Sequence, residues 1–316
     1  MADNVTLNAA TVGGGSTIGA DDISGIKYQR VKLITGVDGT NDGDVSSSSP
    51  LPTLATPVEL RVAQTSLLGG KVAQNVNIMG RRTVFSGTTP FQDVATYLIG
   101  GQAVLSLTVA ATQYFIVSTS AQDAVGGTGM SAIRITYLDG SGNTQTVTPT
   151  LTGTTKVNLG TGFSAIQWME AATLGSATSA ACVGNVAIFS GAGAAAAEAT
   201  TIEQILAGGN RSLSGRFKVP TGYSAFLTGW TANAPGNQSM DCRLRADCFS
   251  DDRTLSAGIF HFQDTAFMAA GSAPHDSPLP YLKCPAGTQI KLSCYPGATS
   301  GTPRVDATFE LLLVAD

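Results

Sequence analysis

Apolar and polar positions alternate along RVDATFELLLV at 304–314. Successive side chains of a strand point to opposite faces, so a period of two gives this segment one apolar face. The apolar face consists of Val305, Ala307, Phe309, Leu311 and Leu313. The pattern predicts a strand that packs against a core and ties the C-terminus into a sheet.

Short alternating runs also fill residues 91–190, with turn sequences between them. The clearest pair is YLDGSGNTQTV at 137–147, where Asp-Gly and Gly-Asn tolerate the positive φ of a tight hairpin turn. In the run before that turn, Ile133, Ile135 and Tyr137 are expected to face inward. Seven or so short strands separated by such turns predict a β-sandwich domain.

Residues 209–316 show the same alternation, and the turns VPTG and CPAG precede strands in a matched way. This favours a second, jelly-roll-like sandwich. The Ala-rich run at 191–208 favours a helix that starts at Thr200 or Thr201 and ends at Gly208. The sequence therefore predicts an all-β fold, with two β-sandwich domains joined by a small-residue linker that contains a short helix.

Residues 1–56 have little to bury, because GGGSTIG and GVDGTNDGDVSSSSPLP are flexible and turn-forming. One strand is predicted in IKYQRVKLI at 26–34, and residues 57–90 are interpreted as a bridging segment. A segment without its own core is either disordered or folds against a partner, for instance by strand addition. We therefore expect an extended docking arm. Its expected anchors are Ile23, Ile26, Tyr28, Arg30, Val31 and Leu33.

The composition suits a protein that is covered by neighbouring molecules. Charged residues make up 13% of the 316 residues, against about 25% in typical domains. The net charge of −4, with no basic run longer than Arg81-Arg82, argues against nucleic-acid binding. The sequence has no long apolar stretch and starts with the polar MADNVTLN, so neither a transmembrane helix nor a signal peptide is expected.

The five cysteines do not form a CxxC pair, so a zinc site is poorly supported. In a regular strand, Cys242 and Cys248 would lie about 20 Å apart, at about 3.3 Å per residue, which is too far for a disulfide. Pairing with Cys284 or Cys294, or across chains, is open, and buried thiols are the alternative. The candidate disulfide cysteines are Cys242, Cys248, Cys284 and Cys294.

The sequence offers little catalytic chemistry. It has two histidines and no Gly-x-Ser-x-Gly elbow, so we expect no catalytic residues, no metal and no cofactor. The Asp-rich run at 38–49 partly imitates a calcium loop, but its twelfth position is Ser49 instead of Glu. Three aromatic residues could form a sugar-binding platform, although core packing is favoured for them: Trp168, Tyr223 and Trp230.

Three segments carry a resemblance to a known family. They are IGADDISGIKYQRVKLITGVDGTNDGDVSSSSPLP, then STSAQDAVGGTGMSAIRITYLDGSGNTQTVTPTLTGTTKV, then FKVPTGYSAFLTGWTA. The second contains the elements Ser-Ala-x-Asp, Gly-Thr-Gly and Leu-x-Gly-Thr-Thr. In this order, the segments resemble structural proteins of tailed-bacteriophage virions.

The resemblance implies a non-enzymatic virion component of the neck or collar, tail fibre, tail or capsid decoration. It further implies assembly in the host cytoplasm, other virion proteins as partners, and a homo-oligomer for which a trimer is favoured. Neither nucleic acid nor membrane is expected as a partner. The alternative is a receptor- or glycan-binding tip domain of a phage fibre, with a host surface glycan as its ligand.

Overall fold

The computed structural model of this chain divides it into two compact units, Met1–Ala63 and Gln64–Asp316. Within the first unit, the structure describes four short strands. In the second unit it describes residues 73–85, 91–96, 107, 113–176, 181–191, 201–234, 239–247, 260–268, 271–276, 283–296 and 304–316.

The strands of the first unit form two antiparallel pairs. They are β1 (Val5–Thr6), β2 (Thr17–Ile18), β3 (Ala20–Ile23) and β4 (Ile26–Gln29). β1 pairs with β2, and β3 pairs with β4, so that Ile23 lies opposite Ile26. Of the other expected anchors, Tyr28 lies in β4, whereas Arg30, Val31 and Leu33 lie outside the described residues.

The described part of the second unit contains strands joined by turns and loops and has no helix, which confirms the all-β prediction. Its first strands are β5 (Ala73–Arg82), β6 (Gln92–Asp93), β7 (Tyr114–Ser118), β8 (Met130–Leu138), β9 (Thr144–Val147), β10 (Val157–Gly160), β11 (Ala165–Leu174), β12 (Val186–Ser190) and β13 (Thr201–Ile205). The later ones are β14 (Arg216–Lys218), β15 (Tyr223–Ala234), β16 (Met240–Ala246), β17 (His261–Met268), β18 (Gly271–Asp276), β19 (Lys283–Cys284), β20 (Gln289–Pro296) and β21 (Val305–Ala315). Nowhere in these ranges is there a helix that could cross a membrane.

The first sandwich packs the sheet β10-β7-β12-β13 against the sheet β11-β8-β9. Ile133 and Ile135 of β8 are fully buried in its core, as the alternation predicts, and Tyr137 packs against that core from a half-buried position. Ile116 of β7 and Ile188 of β12 face them from the other sheet and are equally buried.

The short helix predicted within 191–208 is wrong where the structure describes that segment. Thr201–Ile205 is strand β13, which pairs antiparallel with β12 at the edge of its sheet. Ile202 and Ile205 are buried in the core of the first sandwich, and this burial outweighs the local preference of Glu and Leu for helix. Residues 192–200 lie outside the described residues.

The second sandwich packs β14-β20-β16-β17 against β18-β15-β21-β5, with β6 beside β20 and β19 beside β15. The predicted apolar stripe of β21 is confirmed, because its five residues are buried in this core: Val305, Ala307, Phe309, Leu311 and Leu313. Opposite them, β16 buries Cys242 and Leu244.

The two sandwiches are nested instead of consecutive. β5 pairs along its whole length with β21, and β6 pairs with β20, although both precede the first sandwich in sequence. The segment 57–90, interpreted from sequence as a bridge, therefore contains a strand of the second sandwich. Periodicity shows that a strand has an apolar face but not which sheet completes it.

Candidate functional site

The segment that connects the sandwiches runs along β11 as if it were another strand. The backbone N–H of Ala171 donates to the carbonyl of Asn210 at 2.8 Å, and the N–H of Ser212 donates to the carbonyl of Met169 at 2.9 Å. The hydroxyl of Ser212 accepts a bond from the N–H of Met169 at 2.9 Å. The first sandwich is thus hydrogen-bonded to the chain that enters the second.

The side chain of Gln167 extends this connection to β14. Its amide nitrogen donates to the carbonyl of Lys218 at 2.5 Å, and its amide oxygen accepts from the N–H of Lys218 at 3.1 Å. Gln167 is 3% exposed, so its side chain is buried between the two strands that it joins. The amide side chain of Gln167 therefore bonds to the backbone of Lys218 as a neighbouring strand would, and it links the two sandwiches.

A buried ion pair joins β13 of the first sandwich to β14 of the second. Arg216 Nη2 lies 2.7 Å from Glu203 Oε2, and both side chains are excluded from solvent. Arg216 also donates to the carbonyl of Ile202 at 3.2 Å, and the hydroxyl of Ser214 donates to Glu203 Oε1 at 2.6 Å. Burial raises the pKa of Glu203 above its ordinary value, an effect that the charge of Arg216 opposes.

Two turns form a third contact between the sandwiches. Thr221, in the Pro-Thr-Gly turn before β15, donates its N–H to the carbonyl of Gly142 at 2.9 Å and its hydroxyl to the carbonyl of Ser141 at 2.8 Å. The carboxylate of Asp139 orders the second turn by accepting from the N–H groups of Ser141 and Asn143. Bonds from Asn143 and Gln145 lower the pKa of Asp139.

These contacts together form what we call the junction: Gln167, Glu203, Ser212, Ser214, Arg216 and Thr221. Sequence analysis missed all six residues. The one available signal was Glu203, a charged residue whose neighbours Ile202 and Ile205 suit a buried strand. What the junction can do chemically is fix the orientation of the two sandwiches within the second unit.

A second polar cluster surrounds Asp123, the acidic residue of the Ser-Ala-x-Asp element. Its buried carboxylate accepts from the hydroxyl of Ser118 at 2.5 Å and from the N–H groups of Met130, Val183 and Gly184 at 3.1, 2.9 and 2.8 Å. A buried carboxylate with four donors is fully satisfied. The cluster ties the loop between β7 and β8 to the loop before β12.

The glycines of the neighbouring sequence elements make this cluster possible. A Cβ at Gly129 would collide with the carboxylate of Asp123. Gly153 has φ of +67° and donates its N–H to the carbonyl of Asp123 at 2.9 Å, a conformation that favours glycine. The elements Ser-Ala-x-Asp, Gly-Thr-Gly and Leu-x-Gly-Thr-Thr thus meet in one hydrogen-bonded loop cluster.

A third carboxylate, Asp93, fastens β6 to the second sandwich. It accepts from Lys291 Nζ at 3.0 Å, from the hydroxyl of Ser293 at 2.7 Å and from Arg245 Nη2 at 3.1 Å. Burial lowers the pKa of Lys291, although the negative charge of Asp93 opposes that shift. The carboxylate of Asp93 therefore holds neighbouring strands together by binding the basic side chains of Lys291 and Arg245.

Of the candidate disulfide cysteines, the structure joins Cys242 of β16 to Cys294 of β20, directly opposite each other with Cα atoms 4.2 Å apart. Cys284 is a buried thiol of the second core, and Cys248 lies outside the described residues. In the first sandwich, burial and then the charge of Asp123 raise the pKa of Cys182 to about 12. A thiol with that pKa is unreactive.

The aromatic residues considered for sugar binding lie against the core of the second sandwich. Trp230 is 2% exposed, and its indole N–H donates to Asp264 at 2.8 Å. Tyr223 and Trp168 are half-buried against the same core, and the guanidinium of Arg211 stacks 5.5 Å from the ring of Trp168. These contacts support the packing role.

Two open hollows lie side by side at one end of the first sandwich, with volumes of about 270 and 480 Å³. They share Leu174, and the larger is lined by hydroxyl, aliphatic and glycine residues. Among the residues that the structure describes, no group of three His, Cys, Asp or Glu side chains is placed to hold a metal ion. The calcium-like run at 38–49 lies outside them.

No family model matches the chain, and no curated protein matches it. Among solved structures, it is similar at 9% identity and a TM-score of 0.19 to the tandem CBM22 domains of Paenibacillus barcinonensis Xyn10C, with 78% of this chain and 94% of that chain covered. It is similar at 10% identity and a TM-score of 0.17 to the VP2 subviral particle of infectious bursal disease virus, with 77% and 72% covered. Likenesses at these scores carry no argument about function.

Proposed function

We propose that this chain is a non-enzymatic structural component of a tailed-phage virion. It attaches through residues 1–56 to another virion protein and oligomerises through its β domains. Its station is the neck or collar, a fibre, the tail or a capsid decoration. The resemblance of the three quoted segments to phage virion proteins motivates this proposal.

The observation that carries the proposal is the junction. It connects two sandwiches through a buried ion pair, a buried amide and a turn–turn contact. A protein that links neighbours in a particle must hold its binding surfaces at fixed distances. A junction with several bonded side chains removes the independent domain motion that a simple linker would permit.

The hydrogen-bond partners of the buried carboxylates support the same proposal. Asp93, Asp123 and Glu203 are each at most 1% exposed and each bind donors of their own chain. The sequence elements that resemble those of virion proteins build the Asp123 cluster. Those elements therefore have a structural use, as expected of an assembly protein.

The test is incorporation into particles of the phage that encodes the chain. Tagged wild-type chain is compared with a variant in which Ile26 and Tyr28 are both replaced by Asp, and purified particles are assayed by immunoblot. Loss of the variant from particles, with retention of the control Thr146→Lys, supports attachment through the N-terminal segment. Equal incorporation of both variants refutes it.

A second candidate function is glycan or receptor binding by the second sandwich, and one observation favours it. Tyr295 is 43% exposed, its ring lies 5.6 Å from that of Phe91, and the guanidinium of Arg243 lies 3.6 Å from the centre of the Phe91 ring. Aromatic side chains beside a few polar groups are typical of ligand sites. Binding to a glycan array that is lost in Tyr295→Ala and kept in Trp168→Phe would favour this function.

A further inference from the structure

A buried lysine and a buried aspartate are in contact on one sheet of the second sandwich. The antiparallel pairing of β6 with β20 places Asp93 opposite Ser293, and Lys291 lies two residues along β20 on the same face. Lys291 Nζ is 3.0 Å from Asp93 Oδ2, and the two residues are 4% and 1% exposed. The pair therefore brings an amine and a carboxyl group together in a site that is largely closed to water.

Two further side chains bind the other oxygen of this carboxyl group. Asp93 Oδ1 accepts from the hydroxyl of Ser293 at 2.7 Å and from Arg245 Nη2 at 3.1 Å. Arg245 lies directly opposite Lys291 in the pairing of β16 with β20. The two oxygens therefore have different surroundings, because Oδ2 faces the amine and Oδ1 is held by a hydroxyl and a guanidinium.

Burial favours the neutral form of the amine. Desolvation lowers the pKa of Lys291, the charge of Asp93 opposes that shift, and the charge of Arg245 adds to it. The ring of Phe260, 4.1 Å from Lys291 Nζ, packs against the amine. In water, an amine and a carboxylic acid stay apart because both are ionised and strongly hydrated, and a buried pair loses that hydration. A neutral amide in the same place has no such cost.

We propose that Lys291 and Asp93 condense to an isopeptide bond between Nζ and Cγ, which links β20 covalently to β6. The proton in the hydrogen bond from Nζ to Oδ2 first passes to Oδ2 and leaves a neutral amine and a neutral acid. The amine electron pair then forms the Nζ–Cγ bond, and the charge that develops on Oδ1 is stabilised by Ser293 and Arg245. A second amine proton passes to Oδ2, the Cγ–Oδ2 bond breaks, and Oδ2 leaves as water while the double bond to Oδ1 forms again.

The sheet supplies the geometry that this reaction needs. Strand pairing holds both groups in contact, so that the reaction is effectively unimolecular. The buried pair of Arg216 and Glu203 cannot react in this way, because a guanidinium stays protonated. The bond would close a covalent ring from residue 93 to residue 291, which contains the whole first sandwich. The inference is independent of the proposed function, since it concerns one bond within the chain.

Mass spectrometry of the purified full chain tests the inference. The denatured wild type, with its disulfide reduced, is expected to be lighter than Lys291→Arg by the mass of one water, after allowance for the substituted atoms. Lys291→Arg keeps the positive charge but cannot form the bond. The matched control is Lys218→Arg on β14, which is expected to show the same loss of water as the wild type.

Peptide mapping locates the bond in the wild type and does not depend on the folding of any variant. Trypsin cuts after Lys and Arg but not after a condensed Lys291, so residues 83–134 and 284–304 are expected to appear as one linked species. The inference is overturned if the two peptides are separate and the chain is cut after Lys291. It is also overturned if the loss of water persists in Lys291→Arg.

Discussion

Single carboxylates organise much of the described part of this molecule, and the carboxylate of Asp123 accepts four hydrogen bonds. Replacing Asp123 by Ala leaves the Ser118 hydroxyl and three backbone N–H groups without their acceptor, and all of them except the N–H of Val183 are buried. We expect Asp123→Ala to lower the free energy of unfolding by at least about 3 kcal/mol. Urea denaturation measures it. Asp241→Ala, on an ion pair with Arg243 whose side chains are 29% and 25% exposed, should cost less than about 1 kcal/mol, and equal losses would contradict this account.

The buried Glu203 predicts a pH dependence. Because burial raises its folded-state pKa above 4.5, the folded chain holds a proton at pH values where the unfolded chain has released it. This contribution to stability is fully present below pH 4.5 and is lost as the pH rises through the folded-state pKa.

Glu203→Gln removes that titration, so the decline of its unfolding free energy with rising pH should be shallower than that of the wild type. Urea denaturation from pH 4.5 upward measures both slopes. The control is Glu170→Gln, the same substitution at a carboxylate paired with exposed Arg134. Identical slopes for the wild type and Glu203→Gln would show that the site does not titrate in this window.

At this scale, sequence could predict which residues are buried but not what they bind. The stripe of β21 follows from its period of two, because burial of an apolar side chain depends only on the face it occupies. The partners of Asp123 and Gln167 come from segments far along the chain. Such partners are set by tertiary packing, which local sequence does not encode.

At the scale of elements, the disulfide between β16 and β20 closes a loop with a sequence separation of 52. Removing such a cross-link typically costs about 2–4 kcal/mol, because the unfolded chain regains freedom. We expect Cys242→Ala with Cys294→Ala to lower the unfolding free energy of oxidised protein by that amount and to make it insensitive to reductant. Thermal unfolding with and without dithiothreitol checks this, and the control is Cys182→Ala.

The amount of this disulfide should depend on the redox state of its surroundings, because disulfides form poorly under reducing conditions. Under the proposed virion function, released particles should contain more of the bond than freshly made chain. If the oxidised and reduced wild type unfold at the same temperature and all five thiols are alkylated after unfolding, the disulfide prediction is wrong.

Strand β13 shows where element prediction from sequence fails. The Ala-rich run before it favours helix, yet Thr201–Ile205 completes a sheet edge with β12. Pairing within the sheet contributes backbone hydrogen bonds and buries two isoleucines. The helix propensity of so short a segment is too weak to outweigh these contributions. Hairpin β8–β9 was predictable because its turn residues act locally.

At the scale of the whole molecule, the junction should make the two sandwiches unfold together. Replacing Gln167 and Thr221 by Ala removes one amide bridge and one turn contact. We expect calorimetry to show one transition for the wild type and two separated transitions for the double variant, because coupling between domains depends on their interface. The matched control is Gln113→Ala with Thr146→Ala, at exposed positions. A single transition in the double variant would contradict the prediction.

The nested arrangement could not be predicted from sequence. Two sandwiches were predictable from the number of short strands and turns, since each domain needs enough strands to enclose a core. The assignment of β5 to the second core depends on pairing with a strand more than 200 residues later (Arg82 opposite Val305). No local signal distinguishes that pairing from one with a nearer strand.

The pairing of β5 with β21 also determines which sandwich can fold first during synthesis. While the ribosome is still making the chain, every strand of the first sandwich is available to fold, but the second lacks a central member of one sheet until β21 emerges. Folding across so long a span is slow. An mRNA cut short before that point yields a product whose second core is open, so only translation through β21 yields a chain in which both cores are closed.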